Sequence, residues 1–241
     1  MPDTIVIIPT FNEIENIEAI IRAVFSQEKV LHVLVVDDSS PDLTADKVKE
    51  LQAEFPKQLY LLSRKEKTGL GTAYIAGFKW CLERDYEYIF EMDADFSHSP
   101  NDLIRLYNAC HIQQADLAVG SRYVKGVNVV NWPMSRILLS YFASKYVRLI
   151  TRMKIHDTTA GFVCYKRHVL ESIDLNSIKF VGYAFQIEMK FKAYLKQFKI
   201  IEIPVIFTDR SKGKSKMSGG IISEAILGVI SMKINSFFRK K

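Results

Sequence analysis

Tyr88-Ile89-Phe90-Glu91-Met92-Asp93-Ala94-Asp95-Phe96-Ser97-His98 is the stretch on which the reading of this chain turns. Tyr88 to Met92 is a largely apolar run that predicts a buried strand, the fourth along the chain, and it ends on two aspartates spaced i, i+2. Side chains alternate along a strand, so two carboxylates at that spacing share a face if the strand continues. At a strand end they place two hard oxygen ligands at one edge of a sheet. Such a pair suits Mg²⁺ or Mn²⁺, with the ion holding the phosphates of a substrate. Alone, an acidic pair after a strand is more simply a solvated turn, and the surrounding chain has to decide between the two.

Working outward, strand and helix patterns alternate. Thr4–Pro9 and Leu31–Val36 are continuous apolar runs expected of strands buried on both faces, and Leu59–Leu62 and Asp116–Gly120 are further strands. Between them, Asn12 is placed to cap a helix with Ile14, Ile17, Ile20, Ile21 and Val24 on one stripe. A second helix, Leu43–Glu54, takes Asp42 or Thr44 as its cap. The basic, glycine-bearing loop 65–73 leads into a third helix reaching about Arg84, and Pro100 opens a fourth to about Cys110. This alternation predicts an α/β fold with a mostly parallel central sheet flanked by helices and joined by right-handed crossovers. In such sheets ligands bind beyond the carboxyl ends of the strands. Thr10, Asn12, Glu13, Asp37, Asp38, Asp93, Asp95, Ser121 and Arg122 all fall at those ends, which moves the acidic pair from turn to site.

The second half is less regular. An apolar and basic helix is expected over 137–152, a short strand over 163–165, a helix over 185–197, and a strand over 200–207 whose Pro204 suits a sheet edge. A polar loop carrying Arg210, Lys212, Lys214 and Lys216 then precedes an amphipathic C-terminal helix with Ile222, Ala225, Ile226, Val229 and Phe237 near one face. The division expected is residues 1–218 as the catalytic domain and residues 219–241 as this helix, lying in a membrane interface.

Composition narrows the partners. A net charge of +6 and a pI near 9.1 favour anionic ones, while an apolar fraction of 48% is that of an ordinary globular chain. Cys81, Cys110 and Cys164 give neither a disulfide framework nor a zinc pattern, so a reducing, cytoplasmic compartment is expected. No apolar run is long enough to cross a bilayer, and with no basic stretch or cleavage site ahead of the first strand no leader is expected. There is no G-x-G-x-x-G, Walker or G-x-S-x-G motif, and nothing resembling a nucleic-acid-binding pattern, so nucleic acid is excluded as a partner. Asp37-Asp38 reads equally as a ribose-binding acid or a helix cap. His98, near the aspartates, reads as a surface-loop residue, and the basic loop is a solvated run or, with Arg122 and Arg136, a cationic wall for phosphates.

The motifs P-T-F-N-E (Pro9–Glu13), V-V-D-D-S-S-P-D (Val35–Asp42), G-L-G-T-A-Y (Gly69–Tyr74) and M-D-A-D-F-S-H (Met92–His98) resemble the inverting GT-A glycosyltransferases of family 2. G-S-R-Y-V, N-W-P-x-S-R, D-T-T-A-G-F, F-Q-I-E-M and R-S-K-G-K-S-K-M are similar to one branch of it, the dolichol-phosphate (polyprenol-phosphate) mannose synthases. The resemblance implies a GT-A fold and inverting transfer of mannose from GDP-mannose to a dolichyl or polyprenyl phosphate at the cytoplasmic face of a membrane. Transfer of another hexose from a UDP-sugar is the alternative. It implies that Pro9, Phe11, Glu13, Val36 and Asp38 hold the nucleoside, and that Asp93 and Asp95 bind Mg²⁺ or Mn²⁺ across the donor pyrophosphate beside Ala94. Ser97 stands where some relatives carry a further ligand. Arg122, Lys179, Arg210 and Lys216 would contact phosphates, with Asp95 and Arg122 the catalytic pair. Gln186-Ile187-Glu188-Met189 lacks the Arg-Trp of relatives that glycosylate hydroxyls, which suits an acceptor that is already an anion.

Overall fold

The computed structural model describes residues 3–182, 184–209 and 220–238, the side chains of the last stretch over 227–237. Its sheet is built from β1 (Thr4–Thr10), β2 (His32–Asp37), β3 (Leu59–Ser63), β4 (Tyr88–Glu91), β5 (Leu117–Ser121), β7 (Val163–Lys166) and β8 (Ile200–Pro204), in the order β3-β2-β1-β4-β7-β5-β8. All neighbours run parallel except β7, which pairs antiparallel with both β4 and β5. The mostly parallel sheet is as the sequence predicted; the reversed strand within it was not foreseen. A second pair, β6 (Val129–Val130) and β9 (Phe207–Thr208), lies apart from the main sheet.

Period-two alternation assigns the core. Val6, Ile8, Val33, Val35 and Phe90 face α1 (Ile17–Phe25), α2 (Thr44–Glu54) and α4 (Leu103–His111). Ile5, Ile7, Leu34, Val36 and Ile89 face α3 (Leu70–Leu82), α6 (Arg167–Ser172) and α7 (Ala184–Leu195). Strands buried on both faces need no polar side, hence their unbroken apolar runs.

Several local expectations are corrected. Asn12 does not cap α1: it sits at φ 57°, a left-handed position its short amide tolerates, and its N–H donates to Ser40 Oγ at 3.0 Å. The helix starts at Ile17, whose N–H bonds the Glu13 carbonyl, so Ile14 falls outside the buried stripe and is 37% exposed. Asp42 does serve α2, its Oδ1 accepting the Thr44 N–H and hydroxyl at 3.1 and 2.5 Å. The strand expected over 200–207 divides, with β8 stopping at Pro204 on the sheet edge before the chain enters β9.

α5 (Met134–Thr151) and α8 (Gly220–Phe238) stand off the sheet and pack with α7 through Val147, Ile187, Phe191, Val229 and Met232. Val229 is fully buried while Phe237, eight residues on and near the helix end, is 65% exposed. The side chains of Ile222, Ala225 and Ile226 lie outside the described residues. No helix among the described residues is long and apolar enough to cross a membrane.

Candidate active site

The carboxyl ends of β1, β2 and β4 meet where the strand order reverses, the place an open α/β sheet leaves a crevice. β1 leads out through Pro9, which stands past the last β1–β4 pair, Ile7 with Glu91. Beyond it, Thr10 donates to Asp37 Oδ1 at 2.9 Å, and Asp37 also takes the Ser40 N–H at 2.9 Å. Asp37 is thus committed to the turn. Its neighbour Asp38, beside buried Val36, faces Arg64 at 3.3 Å. Burial pushes the Asp38 carboxyl up, and the Arg64 charge only partly offsets this. The Lys67 ammonium sits 4.3 Å over the Phe11 ring, and Glu13 accepts from Asn16 while donating its N–H to Thr44. The residues expected to hold the nucleoside are therefore gathered at one end of the rim.

Strand β4 ends at Glu91, so the aspartates lie on a turn rather than on a continuing strand. Phe96 adopts φ 60° to close that turn, and Asp95 Oδ1 accepts the Ser97 N–H at 3.0 Å. Ala94, Asp95 and Ser97 are buried, whereas the Asp93 side chain is 36% exposed. His98 corrects the surface-loop reading. It is 4% exposed, stacked on Phe162 at 5.0 Å and edge-on to Phe207 at 5.3 Å. Its Nδ1 accepts the Asp93 N–H at 3.3 Å, which puts the ring proton on Nε2, and burial pushes its pKa down to about 4. The imidazole is a neutral prop for the turn.

The donor set fits a hard divalent ion. Among the described residues no group of three or more His, Cys, Asp and Glu side chains could cage a metal. Two carboxylates two residues apart on a tight turn, one of them open to solvent, are what Mg²⁺ or Mn²⁺ takes when substrate phosphates and water complete the shell.

Arg122, at the end of β5, is the most constrained cation of the rim. Its backbone N–H and Nε donate to Asp157 Oδ2 at 2.9 and 2.7 Å, and Nη2 donates to Asp157 Oδ1 at 2.7 Å and Thr159 Oγ1 at 2.8 Å. Burial alone would raise the Asp157 carboxyl, but the Arg122 charge and bonds hold it below the usual carboxylate range. Glu202 on β8 anchors the loop in turn, taking the His156 and Asp157 N–H groups at 2.7 and 2.9 Å. Two guanidiniums approach the Trp132 ring, Arg122 at 5.5 Å and Arg136 at 4.0 Å, and Arg136 pairs with Asp209 at 2.9 Å. Thr208 donates its N–H to the Ser97 carbonyl at 3.3 Å, so the chain passes the acidic turn just before residue 210. Arg210 and Lys216 lie outside the described residues.

Lys179 is not brought into this group. It is exposed, its N–H bonds Glu188 at 2.9 Å, and its side chain makes no hydrogen bond or ion pair among the described residues. Asp157, Arg64 and Glu202 carry no role in the sequence reading. An acid opening D-T-T-A-G-F just ahead of a buried strand was the available signal for the first. The other two are assigned only by contacts across the sheet.

Comparison with known proteins identifies the family. The model of the family described as "Glycosyl transferase family 2" matches residues 5–174. The polyprenol monophosphomannose synthase of Mycolicibacterium smegmatis is 47% identical over 226 residues, 94% of this chain and 85% of that one. The undecaprenyl-phosphate mannosyltransferase of Micrococcus luteus is 45% identical, over 92% of this chain and 90% of its own. Among solved structures, a mannosyltransferase of Pyrobaculum calidifontis, in complex with GDP-Man and Mn²⁺, superposes with a TM-score of 0.65 at 18% identity, covering 100% of this chain and 65% of that one. The fold is GT-A, and the chain belongs to glycosyltransferase family 2.

Proposed function

We propose that this enzyme transfers mannose from GDP-mannose to a polyprenyl phosphate, with inversion at the anomeric carbon. The observation that carries the reading is the acidic turn Asp93–Asp95 at the switch point, with the Asp157-held Arg122 on the same rim. The names borne by relatives at 45% and 47% identity support mannose as the sugar and a polyprenyl phosphate as the acceptor.

Phe11, Glu13 and Asp38, with Pro9 and Val36 behind them, hold the nucleoside in this reading. Asp93 and Asp95, flanked by Ala94 and Ser97, hold a divalent ion against the donor pyrophosphate. The ion supplies charge neutralisation for the departing diphosphate. Arg122 is fixed in place before any substrate arrives, so its charge acts with no reorganisation. Arg122 and Arg136 are assigned to the anionic groups of donor and acceptor, with Arg210 and Lys216 from the basic loop. An oxygen of the acceptor phosphate forms the new bond to the anomeric carbon as the bond to the GDP oxygen breaks, the electron pair leaving with GDP. Because the attacking group is already an anion, no general base is required. That accounts for a neutral, structurally committed His98 beside the turn.

Residues 1–218 form the catalytic unit in this reading, and 219–241 a helix at the cytoplasmic face of a membrane, next to the lipid acceptor. Thermal shift with GDP and with UDP, each with Mn²⁺, tests the donor. A ligand at 100 times its Kd stabilises by about 2.7 kcal/mol, and GDP is expected to shift Tm more than UDP. A larger shift with UDP, or no transfer of labelled mannose to a short polyprenyl phosphate, rules the assignment out.

A further inference from the structure

Behind the acidic turn runs a buried polar chain that the reaction as described does not use. Lys190 on α7 is fully buried. Its Nζ donates to the Ala160 carbonyl at 2.6 Å and to the Gln186 carbonyl and Oε1 at 3.2 Å each. The Gln186 Nε2 donates to Glu91 Oε2 at 2.7 Å, and Glu91 is itself fully buried, with the Tyr165 hydroxyl beside the carboxylate. The chain therefore runs from the last residue of β4, two positions before Asp93, through one helix turn of α7, to the loop that clamps Arg122. Between its ends, Gly161 lies with the Gln186 amide and the His98 ring 3.8 and 3.9 Å from where a Cβ would stand. The loop thus meets the acidic turn on one side and α7 on the other.

Stability does not account for these residue types. Removing an ammonium and a carboxylate from water is costly even when they attract each other, and apolar side chains of similar volume fill such a space as well or better. What the polar chain adds is direction. Lysine has three donors, and here they meet two backbone carbonyls, on the loop and on α7, and the Gln186 side-chain oxygen. A methionine, one atom shorter and without donors, would fill most of the volume and leave the loop free to shift along α7.

We infer that Lys190, acting through Gln186 and Glu91, is a positioning residue that sets the spacing between the metal-binding turn Asp93–Asp95 and the Asp157–Arg122 clamp. The inference rests on the roles proposed above for those two groups. Its consequence is specific: each half keeps its own ligand, and alignment between them is what is lost. Misplacement of about 1 Å by a change away from the reacting atoms lowers turnover about a hundredfold.

The test compares Lys190→Met, Lys190→Arg and the charge-neutral double variant Glu91→Gln/Lys190→Met with the wild type. Tm, Mn²⁺·GDP affinity by calorimetry, kcat and donor KM are measured for each. Lys190→Met is expected to lose about a hundredfold in kcat with donor KM and Mn²⁺·GDP affinity near wild type, and Lys190→Arg to recover most of the loss. The double variant is expected to regain Tm while kcat stays low, and being neutral it keeps the test open if the single variant does not fold. Recovery of kcat together with Tm in the double variant, or wild-type kcat in Lys190→Met, overturns the inference. A wild type that fails to bind Mn²⁺·GDP overturns the site reading instead, and this inference with it.

Discussion

Asp95 and Asp157 are both buried carboxylates on the rim, and they differ in what they are paired with. Asp157 spends its oxygens on Arg122, whereas Asp95 gives one to the Ser97 N–H. Asp95→Asn should leave the turn intact, because an amide oxygen still accepts that bond, and should lower kcat by about a hundredfold or more with an unchanged circular dichroism spectrum. Retained activity would remove Asp95 from the mechanism. Asp157→Asn takes the counter-charge from a buried guanidinium, a change that destabilises by about 3–5 kcal/mol, read as a fall in the denaturant midpoint. The pH dependence follows from the lowered Asp157 carboxyl. A folded-state value below the unfolded one contributes stability that is present above the ordinary carboxylate value of 3.8 and is lost as pH falls through the folded value. Acid titration of the wild type should show that loss, and Asp157→Asn should lack it. At this scale the sequence reading named Asp93, Asp95 and Arg122 because each stands at a strand end. It missed Asp157 as the partner of Arg122, because a pairing across 35 positions leaves no periodic trace.

Elements were legible wherever burial set the pattern. The strands of the first half and the helices on their faces follow from apolar runs and 3.6-residue stripes. What stayed hidden was direction: a short apolar run such as residues 163–165 reads alike whether parallel or antiparallel. Helix seams were hidden too, since they depend on what each small residue touches. A Cβ on Gly71 would stand 2.8 Å from the Phe185 ring and 2.9 Å from the Phe180 carbonyl, where α3 begins against the segment leading into α7. Nearby, the Gly71 N–H donates to the Val181 carbonyl at 2.8 Å, so neither side of the seam has room to retreat. Gly71→Ala should therefore destabilise by about 1–3 kcal/mol and lower Tm, despite alanine's better helix propensity. An unchanged or raised Tm would mean that the seam yields.

The whole molecule divides its surface unevenly. α5 exposes Leu138, Leu139, Phe142 and Leu149, α8 exposes Leu227, Ile230, Ile234 and Phe237, and Lys145, Arg148, Arg152 and Lys233 are interspersed. An apolar ridge with basic flanks suits an anionic bilayer surface, each lysine or arginine adding about 1 kcal/mol near it. Phe142→Glu/Leu149→Glu should abolish co-sedimentation with anionic liposomes while transfer to a detergent-soluble acceptor persists; undiminished sedimentation would exclude α5 from the contact. The reversed strand β7 has a consequence of another kind, in the order of assembly. The block β3-β2-β1-β4 is drawn entirely from residues 4–91, with one helix between each strand and the next in the chain. The other edge of β4 stays uncovered until Tyr88 meets Lys166, and β5 joins the sheet only through that same late strand and β8. Distant pairings form slowly because the intervening chain must be closed before they return any energy. During synthesis, then, the turn bearing Asp93 and Asp95 exists beside an open sheet edge, and the clamp on Arg122 is among the last parts of the rim to form.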